Sequence, residues 1–155
     1  MTKPLKLVAA NDTFAALLAL GEVLAGRQAL FVTAPEVNGL MPEVHGLPDE
    51  VEDSVGVIVE SSGSTGVPKR IELSKVALLA SANAAHARLG GPGQWLLALP
   101  INFIAGLNVL VRSLVAEIAP VITNAALPFT PEGFARSASL MTGERRYTSL
   151  VPTQL

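Results

Sequence analysis

The sequence lacks cysteine, has few charged residues and contains no long uninterrupted apolar run. Without cysteine, the 155 residues can form neither a disulfide nor a thiolate metal site. Hydrophobic residues make up 50% and charged residues 15%, so the chain is more apolar than an average domain. We therefore expect a sheet covered on both faces or a surface that meets a partner, and we predict self-association.

The apolar stretches are too short or too interrupted to cross a membrane. The two longest lie near 95–101 and 104–116, and they are broken by Pro100, Asn102, Asn108 and Arg112. Neither reaches the ~20 apolar residues that a membrane helix needs. The apolar residues near the N-terminus stop at Asn11, too early for a secretory signal. These features predict a cytoplasmic protein without a membrane span.

The distribution of charge argues against a nucleic-acid partner. The chain has 11 Lys and Arg against 13 Asp and Glu, and much of the acidity lies in Asp49–Asp53, which we predict to be a solvated loop. No basic stripe is visible along the sequence, so we expect no nucleic-acid partner.

Helical and extended patterns alternate along the chain. Apolar periodicity and cap residues predict helices over 13–25, 74–89, 104–118 and 130–141. Compact apolar runs predict strands at Ala29–Thr33, Ser54–Val59, Trp95–Leu99, Ala119–Ile122 and Tyr147–Val151. Residues 34–48 contain three prolines and two glycines and are predicted to be a loop. This alternation is typical of an α/β fold with a mostly parallel sheet flanked by helices.

Several polar residues have an ordinary structural interpretation. The helix that begins after Ser74 is predicted to bury Val76, Leu79, Ala80, Ala84 and Ala87. His45 and His86 lack nearby partners at metal-ligand spacing, so we predict surface or partly buried histidines. We predict that Arg112 is a solvated charge.

A Ser/Gly-rich segment follows the predicted strand Ser54–Val59. It reads Ser61-Ser62-Gly63-Ser64-Thr65-Gly66-Val67-Pro68-Lys69. Small residues let backbone N–H groups approach phosphate oxygens, hydroxyls add donors, and the lysine adds positive charge. The spacing differs from the Walker pattern. A Ser/Gly turn that only joins two elements is the structural alternative.

This segment resembles the phosphate-binding loop of the adenylate-forming superfamily, which includes acyl-CoA synthetases, firefly luciferases and the adenylation domains of peptide synthetases. Leu99–Leu107, Val109–Leu114 and Tyr147–Leu155 resemble later segments of the same enzymes in the same order. Together they are most similar to the o-succinylbenzoate–CoA ligases of menaquinone synthesis. Two positions depart from the family pattern: Arg70 replaces the usual glycine, and Phe103 stands where a histidine is frequent.

The resemblance implies that a carboxylate attacks the α-phosphate of Mg-ATP to give an acyl-adenylate, and that coenzyme A then displaces AMP. ATP, Mg²⁺ and coenzyme A are the implied cofactor and cosubstrates. The implied phosphate-binding residues are Ser61, Ser62, Gly63, Ser64, Thr65, Gly66 and Lys69. Lys69 would also act in catalysis by neutralising the departing pyrophosphate. Asn102, Phe103 and Gly106 are the implied substrate-binding residues.

The resemblance also implies that residues 1–155 form the N-terminal part of the AMP-binding domain. The family's later motifs and its small C-terminal domain are absent from this sequence, so we expect the chain alone to be inactive. Two alternatives remain open. One is another acid–CoA ligase of the same superfamily, and the other is a non-catalytic nucleotide- or phosphate-binding α/β module.

Overall fold

A computed structural model describes residues 1–61, 69–123 and 128–155. Its strands are β1 (Thr2–Ala9), β2 (Ala29–Thr33), β3 (Glu50–Glu52), β4 (Val55–Ser61), β5 (Lys69–Ser74), β6 (Gln94–Leu97), β7 (Val121–Ile122) and β8 (Arg146–Thr148). Its helices are α1 (Thr13–Leu24), α2 (Lys75–Arg88), α3 (Ile104–Ala116) and α4 (Pro131–Ala138), and a 3₁₀ turn covers Pro152–Gln154.

The strands form two sheets. In the first sheet the order is β3-β1-β2-β4-β5, with β1, β2 and β4 parallel and both edge strands antiparallel to their neighbours. In the second sheet the order is β7-β6-β8, and both pairings are parallel. Four of the six strand pairings in the described ranges are parallel, which confirms the predicted α/β class. The larger sheet is nevertheless mixed, because β3 pairs antiparallel with β1 and β5 pairs antiparallel with β4 in a hairpin.

The N-terminal strand has no counterpart among the predicted elements. In β1, Lys3 and Leu5 are buried while Pro4 and Lys6 are exposed, which is the alternation of a strand. The Nζ of Lys3 donates a 2.8 Å hydrogen bond to the backbone oxygen of Asp53, so the buried ammonium has an acceptor. The predicted solvated loop at Asp49–Asp53 is therefore wrong in part. Its centre is strand β3, which pairs with β1 and buries Val51.

The main core lies around helices α1, α2 and α3. Helices α1 and α2 pack on the first sheet, whereas α3 packs on β6 and against both other helices. The largest buried side chains in this core include Leu20, Val57, Trp95, Leu107 and Leu110. Helix α3 thus contacts β6 of the second sheet and also α1 and α2, which cover the first sheet. These contacts fix the position of the second sheet relative to the first.

Side-chain caps start three of the helices. Asp12 accepts a hydrogen bond from the Ala15 backbone N–H at 2.9 Å, and Ser74 accepts one from Ala77 at 3.1 Å. The Thr130 hydroxyl accepts from Gly133 at 3.0 Å, and Pro131 occupies the first turn. Such caps satisfy N–H groups that have no partner inside the helix. The predicted helix starts at Ser74 and Thr130 are thus confirmed.

The predicted apolar face of α2 is wrong. Its buried residues are Leu78, Ala82 and His86, whereas Val76 is 71% exposed. Alanine occupies six positions of this helix, so the sequence defines no unique apolar stripe. The buried positions are spaced four residues apart and lie on one face.

A smaller core covers the opposite face of the first sheet. It consists of Leu5, Ala29, Phe31, Val51, Val55 and Ile58. Val44 and Leu47, from the predicted loop 34–48, pack against it. The segment 43–47 is therefore part of the folded structure, and the buried strand β4 contributes to both cores.

Replacing Gly106 by alanine should lower the free energy of unfolding by about 3 kcal/mol. A Cβ atom there would lie 2.1 Å from the backbone oxygen of Pro100, because α3 packs directly on the preceding turn. Gly21→Ala in α1 is the matched control, since no heavy atom lies within 4 Å of its added Cβ. We expect this control to be neutral or stabilising by under about 1 kcal/mol. Urea unfolding measures both, and equal destabilisation would contradict the packing assigned to Gly106.

Candidate functional site

The hairpin of β4 and β5 places the two ends of the predicted phosphate loop opposite each other. Ser61 pairs with Lys69, and Glu60 pairs with Arg70. The Ser61 hydroxyl donates a 3.3 Å hydrogen bond to the backbone oxygen of Lys69. Because β4 runs parallel to β1 and β2, Ser61 lies at the sheet edge where those strands also end. Ligands of open α/β sheets bind at this carboxyl edge.

Most of the predicted phosphate contacts lie outside the described residues. This applies to Ser62, Gly63, Ser64, Thr65 and Gly66. Ser61 is half-buried and Lys69 is exposed, so both ends of the segment are accessible at the edge of the sheet. The roles of all seven residues remain predictions.

A cavity of about 680 Å³ lies where the carboxyl ends of the two sheets meet. Its wall on the first sheet includes Ala10, Asn11, Pro35 and Glu36, and its wall on the second runs from Leu97 to Ile101. The remaining described lining residues are Thr13, Thr123, Pro128, Phe129, Thr130, Gly133, Phe134, Arg136, Ser137 and Gln154. Gln154 is tied to the second sheet, because its Nε2 donates a 3.0 Å hydrogen bond to the Ala98 backbone oxygen. The volume and the many apolar walls suit a small organic molecule.

The predicted substrate-binding residues follow directly after this lining segment. Asn102 is half-buried, and Phe103 is the N-cap residue of α3 and is 49% exposed. Gly106 is buried against the Pro100 backbone. None of the three is a lining residue of the cavity. Phe103 is thus too exposed to be a core aromatic residue, and a substrate role for the three residues stays a prediction.

A second cavity, of about 590 Å³, adjoins the Glu60–Arg70 pair of the hairpin, next to Ser61 and Lys69. It lies between the end of β2 and the segment 42–45, and both Glu60 and Arg70 line it. The Arg70 Nε donates a 3.2 Å hydrogen bond to Glu60 Oε1. Arg70, which departs from the family pattern, therefore forms an ion pair with Glu60 directly beside Ser61 and Lys69.

A cluster of aromatic and basic side chains lies on the helix side of the second sheet. The Trp95 ring centroid is 5.2 Å from that of Tyr147 and 6.5 Å from that of His86. The Arg112 Cζ lies 4.8 Å from the Trp95 ring centroid, within the range of a cation–π interaction. Arg112 Nη1 lies 3.5 Å from the Ser149 hydroxyl oxygen. Helices α2 and α3 therefore both contact Trp95, α2 through His86 and α3 through Arg112.

Burial lowers the pKa values of two members of this cluster, His86 and Arg112. The His86 Nε2 and Arg112 Nε atoms are buried and have no hydrogen-bond partner among the described residues. Desolvation, reinforced by the neighbouring Arg112 charge, lowers the pKa of His86. Burial also lowers the pKa of Arg112. The predictions of a solvated Arg112 and a surface or partly buried His86 are therefore wrong, because both side chains pack against Trp95.

The other histidine behaves as the sequence suggests. His45 is exposed, and its Nε2 lies 3.7 Å from Glu43 Oε1. Across residues 1–61, 69–123 and 128–155, no three His, Cys, Asp or Glu side chains are grouped so that they could hold a metal ion. Within the same ranges, no helix is long and apolar enough to span a membrane.

Two sheets that meet at a cavity, with both ends of a Ser/Gly-rich segment at the carboxyl edge of the first sheet, fit the class that the sequence resembles, the adenylate-forming acyl-CoA ligases. No family model matches the chain. A probable 2-succinylbenzoate–CoA ligase of Mycobacterium tuberculosis is 41% identical over 153 residues, which is 99% of this chain and 40% of the relative. The sulfoacetate–CoA ligase of Cupriavidus necator is 31% identical over 135 residues, which is 80% of this chain and 25% of that enzyme.

Solved structures show the same fold. The o-succinylbenzoate CoA synthetase of Bacillus subtilis, in complex with the acyl-adenylate OSB-AMP, aligns with a TM-score of 0.63 and 17% identity over 98% of this chain and 50% of that one. The same enzyme with ATP and magnesium aligns with a TM-score of 0.54 and 18% identity, over 88% of this chain and 47% of that one. The predicted resemblance to part of an acyl-CoA ligase is confirmed. The chain spans 40% of the length of the Mycobacterium relative.

The protein should lose stability as the pH falls below about 6.5, the ordinary pKa of histidine. Since the pKa of His86 is lowered in the folded state, the unfolded chain binds more protons in this range, and acid favours unfolding. The loss should continue until the pH passes the native pKa of His86. Urea unfolding at pH 7.5 and 5.5 measures the change.

His86→Gln should reduce this pH-dependent loss, and His45→Gln should retain it because His45 is exposed. Carboxylates titrate in all three proteins, so the comparison isolates His86. Equal losses in the wild type and His86→Gln would contradict the burial of a neutral imidazole.

Proposed function

We propose that the chain is the ATP-phosphate-binding portion of a ligase that activates a carboxylate as an acyl-adenylate and transfers the acyl group to coenzyme A. The observation that carries this proposal is the Ser61–Lys69 pairing, which brings both ends of a Ser/Gly-rich segment to the carboxyl edge of a sheet. The 41% identity to a probable 2-succinylbenzoate–CoA ligase supports 2-succinylbenzoate as the acid. Residues 1–155 would then form the N-terminal part of the AMP-binding domain.

In the first step, a carboxylate oxygen attacks the α-phosphorus of ATP and pyrophosphate leaves. Charge builds up on the pyrophosphate oxygens as the bond breaks, and a fixed cation beside them stabilises that charge. Lys69 is the proposed cation, with backbone N–H groups and hydroxyls of Ser61–Gly66 as donors. Mg²⁺ is proposed to accompany ATP and to neutralise further phosphate charge.

In the second step, the sulfur of coenzyme A attacks the acyl carbon and AMP leaves, which gives the thioester. We propose that the acyl group approaches from the side of the 680 Å³ cavity, close to Asn102, Phe103 and Gly106. The cavity lining offers apolar side chains for the acyl group and the Asn11 side-chain amide as a polar contact.

Self-association of the chain also stays a prediction, which light scattering of the purified protein tests.

Lys69→Ala should weaken binding of Mg-ATP or Mg-tripolyphosphate by roughly 10- to 100-fold, the effect of losing one charge-assisted contact. Isothermal titration calorimetry of the 155-residue chain measures the affinity. Lys6→Ala is the matched control, since Lys6 is an exposed lysine of β1, two strands from β4 in the sheet. We expect its affinity to stay within about twofold, because salt screens distant charges. Equal losses in the two variants would contradict a local role for Lys69.

The choice of acid can be tested in a hybrid enzyme in which this chain replaces the matching segment of the Mycobacterium relative. We expect the hybrid to convert 2-succinylbenzoate, ATP and coenzyme A to the thioester, because the exchanged segment would supply the same phosphate and acyl contacts. Lys69→Ala in the hybrid should lower kcat. A hybrid that forms a thioester from sulfoacetate in place of 2-succinylbenzoate would favour another acid of the same superfamily, in line with the sulfoacetate–CoA ligase relative. A well-folded hybrid with neither activity would contradict the ligase proposal.

A further inference from the structure

Arg70 makes contacts with three separate parts of the first sheet and its covering segment. Its Nε donates to Glu60 Oε1 at 3.2 Å, which joins the two strands of the hairpin. Its Nη1 and Nη2 donate to the backbone oxygens of Gly46 and His45, at 2.9 and 2.7 Å. Its Cζ lies 5.8 Å from the centroid of the Phe31 ring on β2. One guanidinium thus connects β2, β4, β5 and the segment 45–46.

The geometry requires a guanidinium rather than a simple positive charge. The two carbonyls belong to adjacent residues and are met by two different nitrogens of one planar group, while a third nitrogen faces Glu60. A lysine ammonium has a single nitrogen on a flexible stem and cannot reproduce this fork. The turn that presents the carbonyls depends on Gly46, whose φ of +70° is unfavourable for other residues.

The segment held by Arg70 is also anchored in the smaller core. Val44 and Leu47 flank His45 and Gly46, whose backbone oxygens accept from Arg70, and they pack against the cluster that contains Phe31 and Ile58. Arg70 stands next to Lys69 in β5 and opposite Glu60, which precedes Ser61 in β4. A shift of segment 43–47 is therefore transmitted directly to both described ends of the loop.

We propose that Arg70 is a positioning residue that couples segment 43–47 to the base of the phosphate loop and so fixes the separation and direction of Ser61 and Lys69. This inference rests on the proposed function of that loop. Arg70 acts through its neighbours: its side chain is occupied by Glu60 and the two carbonyls and is 31% exposed. Precise placement of binding groups matters because small displacements from the productive geometry weaken binding steeply.

The test compares Arg70→Lys with the unsubstituted chain by calorimetric titration with Mg-tripolyphosphate and by NMR order parameters of the 43–47 amides without ligand. We expect Arg70→Lys to bind about tenfold more weakly, although its charge is kept, since the fork is lost. We also expect lower order parameters for its 43–47 amides, because the segment loses the contacts that hold it. Arg27→Lys is the matched control, because Arg27 is an exposed residue paired with Glu22, and we expect it to leave both measurements unchanged.

A second variant keeps Arg70 intact. Gly46→Ala strains the turn, because its φ is +70°, while the added Cβ makes only a 3.6 Å contact with Arg70 Nη1. We expect weaker tripolyphosphate binding and lower order parameters of the 43–47 amides here as well, so the proposal stays testable if Arg70→Lys folds poorly. Wild-type affinity in both variants would overturn the positioning role, whereas failure of the unsubstituted chain to bind tripolyphosphate would overturn the proposed function beneath it.

Discussion

The pairing of β4 with β5 is the interaction on which the candidate site depends. Val57 and Val59 of β4 belong to the main core, and Val55 and Ile58 belong to the smaller core. A strand buried on both faces cannot shift its register without exposing one of these sets. That constraint fixes where Ser61 lies at the carboxyl edge of the sheet, and it does so with apolar residues that take no part in binding.

The second determinant is the position of α3. This helix packs against β6 and against α1 and α2, and it begins so close to the Leu99–Pro100 turn that a glycine is needed at position 106. Because α3 packs so closely on the Leu99–Pro100 segment, this segment and the end of β6 face the ends of β1 and β2. The larger cavity arises from that arrangement, because residues after each of these strands line it.

The sequence predicts the elements whose signals are local. Ala29–Thr33 and the Ser54–Val59 run are compact and apolar, and the Ser74 and Thr130 caps mark helix starts, so these features agree with the structure. Strand β1 escapes prediction because Lys3 occupies a buried position, where the backbone oxygen of Asp53 accepts its hydrogen bond. The division into two sheets is likewise invisible, since periodicity identifies strands but does not say which strands pair.

In the candidate site, too, the sequence predicts features that depend on neighbouring residues and misses those that depend on contacts between distant residues. The composition of Ser61–Lys69 points to a phosphate loop, and no contact with another element is needed to recognise it. Arg70 and Arg112 are different, because each has a hydrogen-bond partner that is distant in the sequence, Gly46 for Arg70 and Ser149 for Arg112. Arg112 gives one local signal, since its neighbours on α3 are apolar. Its packing on Trp95 nevertheless depends on the tertiary arrangement of α3 and β6.

The central claim is that the hairpin between β4 and β5 holds the polyphosphate of ATP. Amide chemical-shift mapping by NMR during a titration with Mg-tripolyphosphate tests this most directly, because it reports where on the chain the anion binds. The account predicts that the largest shifts occur at Ser61 and Lys69 and in the segment between them, with smaller shifts at Gly46. Saturable shifts centred elsewhere, with the Ser61 and Lys69 amides unmoved, would contradict it.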